Sequence, residues 1–159
     1  KRSIQRLKIV RQHNILWVRL RTNSRDLTIG TIYCRNAEQK YKDEISEFYE
    51  VLTRDTLKYA AAGDVLLLGD FNARLGDLTG DHAVNSNKEE FLAFLHTTKM
   101  INLNIIHAKG EYTYQDDRRG GKSIIDFGLI NSESLNRVTK FHKLDYVEVI
   151  TGHSKHILN

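Results

Sequence analysis

The sequence predicts a single α/β domain of mixed β-sheets flanked by helices, and three observations predict it. Two β-rich runs, residues 14–21 and 27–34, open the chain around the turn-forming Asn23-Ser24-Arg25-Asp26. A long helical pattern over residues 36–61 leads into the apolar run Val65-Leu66-Leu67-Leu68, which is too short for a helix. A second helical pattern and several short β-rich segments follow. The order, ββαβαβ and then more strands, fits neither a simple doubly wound fold nor an all-β sandwich.

The two opening runs read as a hairpin. From Trp17 the pattern alternates, with Arg19 and Arg21 opposite Val18 and Leu20, as in a strand with one wet face. In residues 36–61, Tyr41, Ile45, Phe48, Tyr49, Leu52 and Thr56 fall on one helical face, with Glu44, Glu47 and Glu50 largely on the other. Asn36 with Gln39 is a candidate start cap, and Gly63 a candidate stop. Residues 65–68 read as a strand buried on both faces, closed by Gly69. Residues 76–87, rich in Gly, Asn and Asp, are a loop. Ser86-x-x-Glu89 resembles a capping box for a helix running to about Lys99, with Phe91, Leu92 and Leu95 inward. Strands are expected at 101–106, 111–115, 123–130, 138–141 and 146–150, with a charged surface loop over 116–122.

The 159 residues are enough for one well-buried domain, and 40% hydrophobic with 28% charged residues is ordinary composition. No apolar run approaches the 18 residues of a membrane span, so no membrane partner is expected. The basic N-terminus lacks the apolar core of a signal peptide. Cys34 is the sole cysteine, which excludes an internal disulfide and fits a reducing compartment. The net charge is +4, but residues 1–25 hold eight Lys or Arg and no acid, so the remainder sums to −4. Such one-sided charge suits a polyanion. A solvated edge strand with outward arginines is the competing reading.

Chemistry concentrates where strands end. Gly69-Asp70-Phe71-Asn72 places a carboxylate and an amide just beyond the central strand, where ligands sit in α/β folds. The carboxylate can take a proton from water and the amide can donate to a phosphoryl oxygen. An ordinary turn would use the same residues. Asp126 interrupts Ile124-Ile125-x-Phe127-x-Leu129-Ile130, and an acid in such a strand needs a partner. A histidine of Thr151-Gly152-His153-Ser154-Lys155-His156 is one candidate, since a carboxylate fixes an imidazole's tautomer. A structural ion pair to an arginine is the other. No Cys/His cluster has zinc spacing, and neither a P-loop nor a Gly-x-Ser-x-Gly elbow occurs.

Gly69-Asp70-Phe71-Asn72-Ala73-Arg74-Leu75-Gly76, Ser123-Ile124-Ile125-Asp126-Phe127 and Ser154-Lys155-His156 occur in a recognisable order and spacing. Together they resemble the endonuclease/exonuclease/phosphatase family, and most of all the endonuclease domains of LINE-type retrotransposons and their craniofacial-development-protein-like relatives. The first motif is quite specific, the second moderately so, the third weak alone. The resemblance covers essentially residues 1–159. It implies a four-layer α/β sandwich of two mixed sheets and Mg²⁺- or Mn²⁺-dependent hydrolysis of a DNA phosphodiester. Asp70 would align and activate water, Asn72 would help hold the scissile phosphate, and Asp126 would orient His156, which contacts that phosphate. Tyr33, at its strand end, would donate to a phosphate oxygen. Arg74, Thr113, Tyr114, Arg118, Arg119, Lys122 and Ser154 would face substrate. The implied setting is intracellular and nuclear, with DNA as partner and a C-terminal reverse transcriptase domain in the natural protein.

Three departures qualify what the resemblance implies. The family's Asn and main metal-binding Glu precede the opening hairpin, and nothing in residues 1–12 replaces them. The chain is therefore expected to be the C-terminal portion of the family domain, with its metal ligands unassigned. Lys155 stands where an acid linked to the metal is usual, which disfavours a cation there. The usual Pro after the strand-end Tyr is absent. Little or no plasmid cleavage is expected of these residues alone. The alternative is a catalytically degenerate remnant that binds nucleic acid or protein; a phosphatase for a small phosphoester is a third possibility.

Overall fold

The computed structural model describes residues 3–10, 13–116 and 120–142, with the backbone alone for 3–10. The described strands are β1 (Ser3–Val10), β2 (Ile15–Arg21), β3 (Leu27–Tyr33), β4 (Asp64–Asp70), β5 (Met100–Asn102), β6 (Tyr114–Asp116), β7 (Gly121–Ser123) and β8 (Asp126–Asn131). Six of them form a mixed sheet in the order β1-β2-β3-β4-β8-β5, and β6 with β7 makes a separate antiparallel ribbon. The helices are α1 (Lys42–Ala60), α2 (Asn87–Thr98) and α3 (Leu103–His107). The mixed α/β architecture is the one the sequence predicts.

The expected hairpin forms from β2 and β3, with Trp17 opposite Gly30. No strand is expected before it, yet β1 pairs antiparallel with β2 and widens the sheet. β3 and β4 are parallel, so the chain between them must cross over a sheet face, and α1 does so. The buried line of α1 is Ile45, Phe48, Tyr49, Leu52, Thr56 and Tyr59. With Trp17, Leu67, Phe71, Phe91, Phe94, Phe127 and Leu129 it makes one core between the helices and the sheet. On β4, Val65 and Leu67 are fully buried in that core, whereas Leu66 and Leu68 are only half-buried on the other face. That second face, which also carries Leu16, Val18, Leu27 and Ile29, is the kind of apolar surface on which a further layer packs.

Several expected boundaries move. α1 begins at Lys42 after a 3-10 turn, and the Asn36 side chain pairs with Glu38 instead of capping the helix. Ser86 has helical dihedrals and makes no side-chain cap bond, so the expected capping box is not formed. The expected strand over 101–106 ends at Asn102. Its side chain accepts the Asn104 N–H and opens α3, a local bond that competes with the ladder. Residues 123–130 split between β7 and β8. Residues 138–141 are irregular rather than a strand, and the Phe141 ring lies where a Cβ on Gly128 would sit. The strand expected at 146–150 lies outside the described residues.

Gly69 has φ +140, and a Cβ there would stand 2.1 Å from the Ile32 carbonyl oxygen. Gly69→Ala is therefore expected to destabilise the fold by about 2–3 kcal/mol. Urea unfolding checks this: the midpoint should fall with the slope unchanged.

Candidate active site at the ends of three strands

β3, β4 and β8 are neighbours, and their registers align Tyr33 with Asp70 and Asp70 with Asp126. One phenol and two carboxylates thus stand side by side at one edge of the sheet. Cys34 N–H donates to the Asp70 carbonyl (2.8 Å) and Phe71 N–H to that of Ile125 (2.9 Å), tying the strand ends together. Tyr33 is half-exposed, and Asp70 and Asp126 are partly buried.

Asp70 and Asn72 form one unit. The Asp70 carboxylate accepts the Asn72 N–H at 2.7 Å and its Nδ2 at 3.2 Å, while that Nδ2 also donates to the Cys34 carbonyl (2.8 Å). The turn reading and the functional reading are therefore compatible: the motif is an Asx turn that carries the carboxylate. Burial pushes the Asp70 carboxyl up to about 6; the Asn72 N–H opposes this and the Asp126 charge adds to it. An acid poised there is ionised at neutral pH yet basic enough to take a proton from water. Burial and the Asp70 charge push the Cys34 thiol up to about 12, so it is neutral.

Asp126 is held through its backbone. The Thr113 hydroxyl oxygen accepts the N–H groups of Ile125 and Asp126, each at 3.1 Å. The Asn104 amide donates to the Asp126 carbonyl (3.1 Å) and accepts the Gly128 N–H (2.9 Å). Asp126, Thr113, Glu111 and Phe141 line a cavity of about 230 Å³ beside the site.

The remaining expected residues divide. Arg74 is engaged within the protein: its guanidinium meets the buried Asp81 carboxylate through Nε (3.1 Å) and Nη2 (2.6 Å), and Nη2 also donates to the Lys122 carbonyl. Tyr114 is exposed on the ribbon, and the Lys122 ammonium lies 6.0 Å from the Tyr112 ring centroid. Arg118, Arg119, Ser154, Lys155 and His156 lie outside the described residues, and with them the Asp126–His156 pair. Of the N-terminal arginines, Arg19 lies over the Tyr59 ring and Arg25 pairs with Asp64 and Glu133. Both, with Arg21, sit toward the sheet edge opposite Asp70, so they do not flank the three-strand site.

Sequence reasoning passed over Asp81, Asn85, Asn87 and Asn104, all of which bond the site's backbone. Only Asn104 left a signal: Ile101-Asn102-Leu103-Asn104-Ile105 puts alternate amides inside an apolar run. As to metals, no group of three or more His, Cys, Asp or Glu among the described residues is placed to hold an ion. Asp70 and Asp126 alone do not make such a site.

The fold is similar to the endonuclease domain of TRAS1, a telomere-specific non-LTR retrotransposon, with a TM-score of 0.63 at 18% identity over 85% of this chain. It is also similar to a 3′ phosphatase, NExo from Neisseria, solved with a product DNA hairpin, with a TM-score of 0.56 at 20% identity over 74% of the chain. A 3′-5′ exonuclease from Neisseria meningitidis matches at 0.56 and 18% over 72%. The chain spans 58% of the first and 52% of each of the other two. No curated protein matches it. A family model described as endonuclease-reverse transcriptase matches residues 27–154, which include the hairpin from β3 onward, the Asp70–Asn72 unit and Asp126. The chain belongs to that endonuclease-reverse transcriptase family.

Proposed function

We propose that this chain is a nuclease-type domain that hydrolyses DNA phosphodiesters, with Asp70 as the base that takes a proton from the attacking water. The observation that carries this reading is the register that sets Tyr33, Asp70 and Asp126 side by side, with Asn72 bound to the central carboxylate. The half-exposed Tyr33 hydroxyl is a donor suited to a phosphate oxygen, whereas both protons of the Asn72 amide expected to hold the phosphate are engaged by Asp70 and Cys34. Membership of the family and the DNA-bound neighbour support a DNA substrate. Dependence on Mg²⁺ or Mn²⁺, and linkage to a reverse transcriptase domain, belong to the proposal through the family alone.

A second reading has its own observation. The described residues do not make a metal site, and Lys155 carries positive charge where an acid is usual. A degenerate domain that binds DNA without cutting it fits both. Supercoiled plasmid separates the two. The nuclease reading expects slow nicking in Mg²⁺ or Mn²⁺, stopped by EDTA and removed by Asp70→Ala. Salt-sensitive DNA binding with no nicking in either metal selects the second reading. Neither binding nor nicking overturns both.

Lys155→Asp changes the local charge by two units. At an effective dielectric near 20, each unit a few Å from a cation is worth on the order of a few kcal/mol. The variant is expected to bind Mn²⁺ at least about tenfold more tightly by calorimetry, and to nick faster. Unchanged Mn²⁺ affinity would remove Lys155 from the site.

A further inference from the structure

Asn72 is one of only a few residues other than glycine, among those described, with a positive φ, here +47. Asparagine tolerates this region better than most residues, but it still prefers others, so something must hold it there. Its side chain and N–H face Asp70 and Cys34. Its carbonyl faces the other way, and two amides converge on it, Asn85 partly buried and Asn87 fully so. Asn85 Nδ2 donates at 2.8 Å and Asn87 Nδ2 at 3.1 Å. Asn85 Oδ1 also accepts the Arg74 N–H at 3.0 Å, so one side chain brackets Ala73 from both sides. Asn87, 1% exposed, also donates to the Arg35 carbonyl at 2.9 Å. A single amide at the start of α2 thus ties the chain leaving β3 to the chain leaving β4.

We propose that Asn85 and Asn87 are positioning residues for the active site: by gripping the Asn72 carbonyl they hold its left-handed turn and so aim its N–H and amide at Asp70. This rests on the reading of Asp70 and Asn72 as the chemical centre. The two asparagines touch neither Asp70 nor its carboxylate partners in any bond described above; they act through the peptide of Asn72. Each amide also has a second partner, so the grip is stiff. Removing either donor leaves the carbonyl with one bond, and removing both leaves it with none from these side chains, free to rotate toward the extended region. The Asn72 N–H would then turn away from Asp70. Because that N–H opposes the upward push of burial on the Asp70 carboxyl, its loss has a sign: Asp70 should titrate higher.

The test follows Asp70 by carbon-detected NMR across pH, with the Asn72 amide proton shift read in the same samples. Neutral variants avoid adding charge: Asn85→Ser, Asn87→Ser and the double change. Phe94→Leu, a core substitution on α2 about two turns beyond Asn87 that removes none of the bonds to the Asn72 carbonyl, serves as the control for general destabilisation. The expected result is an upfield move of the Asn72 amide proton and a rise of the Asp70 midpoint by about one pH unit in the double variant, less in each single one. The control should leave both unchanged. If the double variant does not fold, the single variants carry the same two readouts. Singles or the double that fold with wild-type Asp70 and Asn72 signals, or a control that shifts them equally, would overturn the proposal. These readouts need no nicking activity. Shifted signals without any effect on nicking would leave the grip standing and count against Asp70 as the base.

Discussion

Asp81→Ala is expected to lower the stability of the domain by about 3–5 kcal/mol, the largest single loss among the substitutions considered. The Asp81 carboxylate is fully buried and receives four bonds: Arg74 Nε and Nη2, the Ala83 N–H at 3.1 Å and the Ile124 N–H at 3.0 Å. Alanine leaves a half-buried guanidinium and two backbone donors without that acceptor, and the cost of unmet buried donors exceeds that of the bonds themselves. The damage is local in consequence as well. Ile124 stands two residues before Asp126, and Arg74 two residues after Asn72, so Asp81 links the loop after β4 to the chain entering β8. Chemical unfolding of Asp81→Ala against wild type measures the loss. A change under about 1 kcal/mol would place Asp81 outside the supports of the fold.

The pH dependence of stability carries a related expectation. Burial works to raise the Asp81 carboxyl, but the bonds from Arg74, Ile124 and Ala83 outweigh it and hold the group below the usual carboxylate range. A group lowered in the folded state stabilises above its unfolded value, near 4, and that contribution disappears as pH falls below it. Asp70 behaves oppositely. Raised to about 6, it favours its protonated form, so its ionisation weakens the fold as pH climbs from about 4 to 6. Together the two groups place a stability maximum near pH 4, with stability falling toward pH 6.

What the sequence disclosed and what it hid follow from the range of the forces involved. Asp70 and Asp126 stood out because an acid at the end of an apolar run violates a local pattern. The buried face of α1 was legible because its period is local. Register is not local: nothing in either strand states that residues 70 and 126 lie opposite each other. The pairing of β1 was hidden for the same reason, since a basic, loosely alternating segment becomes a strand only when β2 offers it an edge. In the short run after Met100, one side-chain bond from Asn102 to the Asn104 N–H outweighed apolar content and turned the chain into a helix. Arg74 looked like a residue for substrate because it follows the Asp-Phe-Asn motif. Its commitment to Asp81 depends on a loop closure that no spacing rule encodes.

Asp70→Asn is expected to abolish nicking while making the protein more stable at neutral pH. As a general base Asp70 must be ionised, so in the active protein the rate should fall about tenfold per pH unit below its value near 6 and level off above it. Asparagine cannot take the proton, and losses of about 10²–10⁴-fold are typical when such a base is removed. Stability moves the other way. Ionised Asp70 is penalised mainly by burial and additionally by the Asp126 charge, and a rise from 3.8 to about 6 corresponds to on the order of 2 kcal/mol for a partly exposed group. The neutral amide escapes that penalty and keeps one acceptor for the Asn72 N–H. Its own NH₂ group then faces Asn72 Nδ2, where the carboxylate oxygen had accepted a bond at 3.2 Å. Two donors meeting there return part of the gain, leaving about 1 kcal/mol. The gain should be present at pH 7.5 and vanish near pH 4, where Asp70 of the folded wild type is already neutral. Urea midpoints of the two proteins at those two pH values decide it. An Asp70→Asn protein that is less stable at pH 7.5, or that nicks plasmid at the wild-type rate, would remove Asp70 from the role of a buried base.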